Sequence, residues 1–214
     1  MTGDAHDSFP PGFFRRTDES SDDSFYAFDR LVTHLDSGAI RSVGDLYREL
    51  GLVGDVLDLC SSWISHFHDA PRELVAIGMN RRELDANPMA SKRVVKDLNL
   101  DPTLPFDGDR FDAVTCCVSI DYLVRPLDVM REAARVLRSG GVFVCTFSNR
   151  CFPTKAIHGW LATDDAGRCR IVSEYFRLSE MFEPATVSRR VNLGPGTDPL
   201  YAVWARCSTE PDIH

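Results

Sequence analysis

The sequence predicts an α/β protein built on a doubly wound, mostly parallel seven-stranded sheet that finishes in a C-terminal antiparallel hairpin. Three observations predict it. From residue 42 onward, short runs of Val, Ile, Leu and Phe alternate with helix-length stretches, the pattern of parallel strands covered on both faces. The run Asp55 to Leu59 is apolar apart from its acids, as a buried central strand requires. The last two apolar runs are separated only by Asn192-Leu193-Gly194-Pro195-Gly196-Thr197-Asp198-Pro199. That connection is turn-rich and too short for a crossover helix, so the two strands pair antiparallel.

Each element follows in order. Residues 1–12, polar with Pro10, Pro11 and Gly12, read as a flexible tail. Residues 13–41 read as an N-terminal extension, a lid or substrate cap. There Phe13, Phe14, Phe25, Tyr26 and Phe28 flank an acidic run from Asp18 to Asp23, and such aromatics need cover that acids do not provide. Ser42 is placed to cap a helix through Leu50, with Val43, Leu46, Tyr47 and Leu50 on one face and Gly51 and Gly54 beyond its end. After the strand Asp55–Leu59, further strands are expected at Leu74–Ile77, Arg93–Lys96, Phe111–Val118 and Val142–Phe147. Pro126 to Arg138 carries Leu127, Met130, Ala133, Ala134 and Leu137 at helical spacing, and Gly140-Gly141 is expected to stop that helix. Ile171 to Met181 reads as a helix, and Ala185–Val191 and Leu200–Cys207 as the hairpin strands. The main domain is thus residues 42–207, followed by a tail at 208–214. The chain shows no internal repeat.

Composition narrows the function. A chain of 214 residues fits one domain with a single core. The net charge of −8 and pI near 5.2 disfavour nucleic acid, whose phosphates reward clustered cations. The pairs Arg81-Arg82 and Arg189-Arg190 are isolated and suit a solvated surface. A small-molecule partner is expected instead. No apolar run approaches the ~20 residues that cross a bilayer, and the first residues lack a secretion signal's basic start and apolar centre. A cytoplasmic protein without a membrane partner is the expectation. Seven cysteines are an odd number, and their apolar settings suit reduced, buried thiols. His66 and His68 lie near Cys60, but alternate histidines without paired cysteines are weak grounds for a metal, so none is expected. Gly-x-Gly-x-x-Gly, Gly-x-Ser-x-Gly and Gly-x-x-x-x-Gly-Lys are all absent, which disfavours nicotinamide dehydrogenases, serine hydrolases and phosphate-loop enzymes.

The order of signals between residues 55 and 147 is more specific. Val56 to Asp58 comes first, then Leu104-Pro105-Phe106, Phe111-Asp112-Ala113-Val114, and Arg135 to Gly141 leading into Val142-Phe143-Val144. In this order the chain resembles the cofactor half of class I S-adenosylmethionine-dependent methyltransferases, over about residues 42–207. The resemblance implies their Rossmann-like fold, S-adenosyl-L-methionine as cofactor and methyl transfer as the activity. It also exposes departures. The family runs its first strand into Asp/Glu-x-Gly-x-Gly-x-Gly, whereas this chain has Asp58-Leu59-Cys60-Ser61-Ser62-Trp63-Ile64. The acid is kept, and Cys60, Ser62 and Ile64 take the glycine places. Side chains there restrict positive φ, but the hydroxyls of Ser61 and Ser62 can bind a carboxylate or cap a following helix. Trp63 can close the site or pack that helix. The turn is therefore either a cofactor cradle or a plain strand-to-helix connection.

The resemblance implies further cofactor contacts. Gly78 stands where the family places its ribose-binding acid, with Asn80 two places on as a weaker acceptor. Met79 is set to pack against adenine or in the core. Asp97, followed by Leu98, corresponds to an acid that recognises the adenine amino group, or it caps a turn. Ser119, at the end of the fourth strand, completes the cofactor candidates. Candidates for handling the acceptor are Asp121 and Tyr122, Asn149 and Arg150 after the fifth strand, and Tyr26, Arg30 and His34 from the extension. Tyr26, Arg30 and His34 share one face if Phe25–Leu35 is helical. The resulting expectation is methyl transfer to a small molecule. The alternative is a non-catalytic binding or regulatory protein that kept the sheet and lost its grip on the cofactor. Neither the acceptor nor the oligomeric state is legible in the sequence.

Overall fold

The computed structural model describes residues 8–191 and 197–208. Residues 1–7, 209–214, and 192–196 in the hairpin connection lie outside it. Seven strands form one sheet: β1 (Asp55–Leu59), β2 (Glu73–Gly78), β3 (Lys92–Val95), β4 (Phe111–Cys117), β5 (Leu137–Phe147), β6 (Thr186–Arg189) and β7 (Tyr201–Arg206). Their order is β3-β2-β1-β4-β5-β7-β6. The five strands from β3 to β5 are parallel, while β7 runs antiparallel to both β5 and β6. This is the Rossmann-like methyltransferase arrangement. All seven expected strands are present.

Alternation along the strands divides the core between the two faces, as the two-residue period of a strand demands. Leu57, Leu59, Val75, Ile77, Phe143 and Cys145 point to one side. There they meet α4 (Pro126–Val136) and α6 (Asp165–Ser179). Val56, Leu74, Val142 and Val144 point to the other, against α2 (Ser37–Glu49). Each fully buried Leu, Val or Phe contributes about 1.5–3 kcal/mol. All seven cysteines are unpaired.

Several boundaries differ from expectation, each for a local reason. Helix α2 starts at Ser37, not Ser42, because the Asp36 side chain accepts from the Ala39 amide and caps it earlier. Helix α4 ends at Val136, and β5 begins at Leu137 without a loop. Gly140-Gly141 therefore lies inside the strand. Ladder partners jump from Phe111–Leu137 to Ala113–Val142, so the extra residues bulge out, with Gly140 at φ +72°. Helix α6 begins six residues before Ile171, capped by Asp164, and ends at Ser179 with Glu180 in the left-handed region. The short helices α1 (Asp22–Tyr26), α3 (Arg81–Ala86) and α5 (His158–Leu161) were not foreseen.

The largest departure is between β1 and β2, where no helix forms. Residues 60–72 run irregularly from one strand to the next. The expected helix, which Ser61 or Ser62 was to cap and Trp63 to pack, is absent.

The N-terminal segment is part of this body. Phe9, expected in a mobile tail, packs its ring against Phe13, Phe14 and Tyr175 at centroid distances of 4.7, 5.0 and 5.6 Å. Phe25–Leu35 is not one helix: α1 stops at Tyr26 and an irregular strap continues to Asp36. Buried charges fasten the strap. The Lys155 ammonium, fully buried, lies 3.0 Å from Asp22 and 3.1 Å from Asp18 and donates to the Ser20 carbonyl at 2.8 Å. Arg16 reaches Asp22 at 2.8 Å. Burial raises the Asp22 pKa, but hydrogen bonds from Arg16, Asn99 and Lys155 outweigh it and hold the carboxyl below its ordinary value.

Candidate functional site

Strand order reverses between β1 and β4, so the loops leaving their carboxyl ends part and open a crevice. A cavity of about 540 Å³ lies there. Its walls come from the loops after β1, β2, β4 and β5, and the strap closes it from outside.

The β1 turn resolves the question of the missing glycines. Cys60 itself adopts φ +54°, the conformation a glycine would take freely, at a cost of roughly 1–2 kcal/mol. The Ser61 amide then donates to the Ile77 carbonyl at 2.6 Å, drawing the turn onto β2. That approach needs Gly78, because a Cβ there would collide with the Ser61 carbonyl oxygen. The glycine has moved to the neighbouring strand. Asp58 is buried behind the turn and accepts from Thr115, Ser61 and Ser65 hydroxyls, each at 2.7 Å. Burial raises its pKa, and the three hydroxyls oppose that rise.

Of the cofactor candidates, Asp58, Cys60, Ser61, Ser62, Gly78, Met79, Asn80 and Ser119 line the cavity. Asp97 and Leu98 do not. One Asp97 oxygen accepts from the Asn99 and Leu100 amides, closing a turn, and Leu98 is buried in the core. Asn80 is more occupied than expected. Its oxygen caps α3 by accepting from Arg82 and Glu83 amides, and its Nδ2 donates to the Tyr26 carbonyl and to Asp29. The sequence reading missed Glu83. It is buried on the first turn of α3 and lines the cavity, where it accepts from the Ser62 hydroxyl at 2.5 Å and the Arg30 amide at 2.7 Å. An acid five residues past the strand end gave no motif signal.

Of the acceptor candidates, Tyr26, Arg30, His34, Asp121, Tyr122 and Arg150 all line the cavity, and Asn149 is exposed outside it. The expected helical face is absent, yet the strap brings Tyr26, Arg30 and His34 to the same space. The Trp63 indole donates to the Val32 carbonyl at 3.0 Å and helps close the wall without filling it. Arg30 lies 4.4 Å from the Phe25 ring and 5.5 Å from the Phe152 ring. Arg150 pairs with Asp198 at 2.9 Å. Burial lowers the pKa of His34, and brings His66 down to about 4, so both rings are neutral near pH 7. Burial pushes Asp121 up to about 7, against weak opposition from its own amide and the Arg168 charge.

His66 and His68 form no metal centre with their neighbours. Among the described residues no group of three His, Cys, Asp or Glu side chains is arranged to hold a metal, and His68 instead meets Asp45 at 2.9 Å.

Comparison with known proteins agrees with the fold. Residues 60–145 match the methyltransferase domain family. A stretch of 73 residues, 33% of this chain, is 37% identical to the demethylmenaquinone methyltransferase of Clavibacter sepedonicus, of which the match spans 30%. Among solved structures, a SAM-dependent methyltransferase from Thermotoga maritima superposes with a TM-score of 0.60 over 80% of this chain and 90% of that one, at 14% identity. A methyltransferase bound to the Haloferax volcanii activator Trm112 superposes at 0.53, over 82% and 99%, also at 14% identity. Over residues 60–145 the chain resembles the methyltransferase domain family, and its fold is the one that class I S-adenosylmethionine-dependent methyltransferases share. The domain match and the fold support S-adenosyl-L-methionine as its cofactor.

The residues present fit that cofactor. Five carboxylates line the cavity (Asp36, Asp58, Glu83, Asp121 and Asp198) against two guanidiniums, Arg30 and Arg150. This excess of negative charge suits a ligand carrying a sulfonium. Gly78 lets the β1 turn sit back, and Met79 offers an apolar edge.

Proposed function

We propose that this protein transfers a methyl group from S-adenosylmethionine to a small molecule. One observation carries the reading: the turn beside Asp58 and the candidate acceptor residues Tyr26, His34, Asp121, Tyr122 and Arg150 line one shared, strap-covered cavity. A group bound at the turn and an acceptor under the strap would thus lie side by side. The cofactor supplies an activated methyl; the chain supplies alignment. Holding two reactants in line contributes ~7–11 kcal/mol.

In this reading residues 42–207 are the methyltransferase domain and 13–41 its cap. Asp58 fixes the turn, Ser61, Ser62 and Cys60 border the amino-acid end, Gly78, Met79 and Asn80 border the nucleoside, and Ser119 lies between. Asp97 and Leu98 support the wall from behind. The net charge of −8 supports a small molecule over nucleic acid. No helix among the described residues is long and apolar enough to cross a membrane, and we place the protein in the cytoplasm. Isothermal titration with S-adenosylmethionine and S-adenosylhomocysteine tests the reading. Micromolar binding that Asp58→Ala and Gly78→Val weaken is expected, and silence from the wild type would overturn it.

A further inference from the structure

The acceptor side of the cavity contains a carboxylate that no other described residue engages. Asp121 is 5% exposed, and no hydrogen bond or ion pair from another described residue reaches its carboxyl oxygens. The other cavity acids are all engaged. Asp58 holds three hydroxyls, and Glu83 holds Ser62 and the Arg30 amide. Asp36 and Asp198 accept each other's amides at 2.6 and 3.0 Å. The Asp121 amide reaches its own carboxyl, but a carboxylate has about four acceptor sites, so one this buried beside a cavity keeps capacity for a ligand donor.

Resting on the methyltransferase reading, we propose that the acceptor is a planar ring compound bearing a hydroxyl, a phenol or enol. Asp121 takes its proton, and Arg30 faces the oxyanion that forms. The new bond joins the acceptor oxygen to the methyl carbon. The carbon–sulfur bond breaks with its electron pair left on sulfur, and the hydroxyl proton passes to the Asp121 carboxylate and then to solvent.

Two features choose a hydroxyl over an amine. No carboxylate pairs with the Arg30 side chain among the described residues; its guanidinium lies over Phe25 and Phe152 and donates only to the Phe28 carbonyl. Such a cation repels an ammonium and favours a developing oxyanion. The Phe152 and Tyr26 rings, both bordering the cavity, provide flat apolar walls for a ring.

The groups that face Asp121 leave it as the one that titrates near neutrality. Tyr26 from α1, Cys151 from the loop after β5 and Tyr175 from α6 all have pKa values raised by burial, so they keep their protons. Arg168 from α6 is the cation whose charge reaches Asp121.

The test uses the wild type, Asp121→Asn and Arg30→Met. Calorimetry with S-adenosylhomocysteine comes first, before any acceptor is added. Next, 4-nitrocatechol is titrated into each complex and its ionised form read by absorbance. Finally, release of S-adenosylhomocysteine is followed from S-adenosylmethionine with matched sets of phenols, enols, anilines and alkylamines. The proposal expects bound 4-nitrocatechol to ionise at lower pH than free probe, and Arg30→Met to abolish that shift. It expects Asp121→Asn to slow hydroxyl methylation about 100-fold or more, with S-adenosylhomocysteine affinity within about twofold of wild type. The wild-type rate should climb as pH rises through about 7. Methylation confined to amines, an undiminished rate in Asp121→Asn, or a cofactor complex that admits no ring hydroxyl would overturn it. Failure of the wild type to bind S-adenosylhomocysteine would instead remove the methyltransferase reading itself, and this inference with it.

Discussion

Glu83 accepts the backbone amide of Arg30 at 2.7 Å, although the two lie 53 residues apart. Together with the Ser62 hydroxyl on its other oxygen, it ties the strap to the β1 turn. Hydrogen bonds to charged groups contribute about 1.5–3 kcal/mol, so Glu83→Ala should release the strap locally. Hydrogen exchange at the Arg30 amide should accelerate at least about tenfold, since ~1.4 kcal/mol is a factor of ten. Unchanged protection there would show that the strap is held by other means.

Lys155→Met tests the buried charge cluster. It leaves Asp22 with the Arg16 guanidinium and the Asn99 amide in a setting where Asp22 is 2% exposed. Removing one member of a buried ion pair costs about 3–5 kcal/mol. Urea unfolding should reveal a loss of that order. A loss below ~1 kcal/mol would mean that water or side-chain rearrangement compensates.

Gly78→Ala tests the relocated glycine. The added Cβ would strike the Ser61 carbonyl oxygen and push the turn into the cavity. Calorimetry should record at least a tenfold loss of S-adenosylhomocysteine affinity. Equal affinity in the variant would show that the turn yields without closing the site.

Acid should destabilise the protein through Asp55. Hydrogen bonds from Arg72 and Arg138, at 2.8 and 3.1 Å, hold its carboxyl well below the usual carboxylate range. The native state therefore binds fewer protons than the unfolded chain. The resulting stability is present above pH ~4 and falls as pH drops through the carboxylate range. Asp55→Asn should flatten the melting-temperature profile between pH 5 and 2, assigned approximately from the same carboxylate range. An unaltered slope would place the acid sensitivity elsewhere.

How much of this was legible depends on the type of signal. Strand runs such as Val142–Phe147 declared themselves because both faces are buried, and the hairpin because its connection excludes a crossover. Helix starts were less visible: Asp36 and Asp164 cap α2 and α6 from positions that precede the apolar periodicity. The absent helix after β1 left no trace, since Ser61, Ser62 and Trp63 suit a helix start as well as a turn. At the site, residues adjoining strand ends were found, whereas Glu83 needed the fold to bring α3 under the strap. Tyr26, Arg30 and His34 reached the cavity by an irregular path that no periodicity describes. Asp97 shows the converse, a strand-end acid whose oxygen is taken by the amides of its own turn.

The anchoring of Lys155 on Asp18, Asp22 and the Ser20 carbonyl has a practical corollary for anyone trimming the polypeptide. A shortened version beginning at α2 would strip a sealed ammonium of every counter-charge while unroofing the cavity. Loss of function in such a truncation would therefore report damage to the buried loop after β5, and says nothing by itself about what the missing stretch recognises.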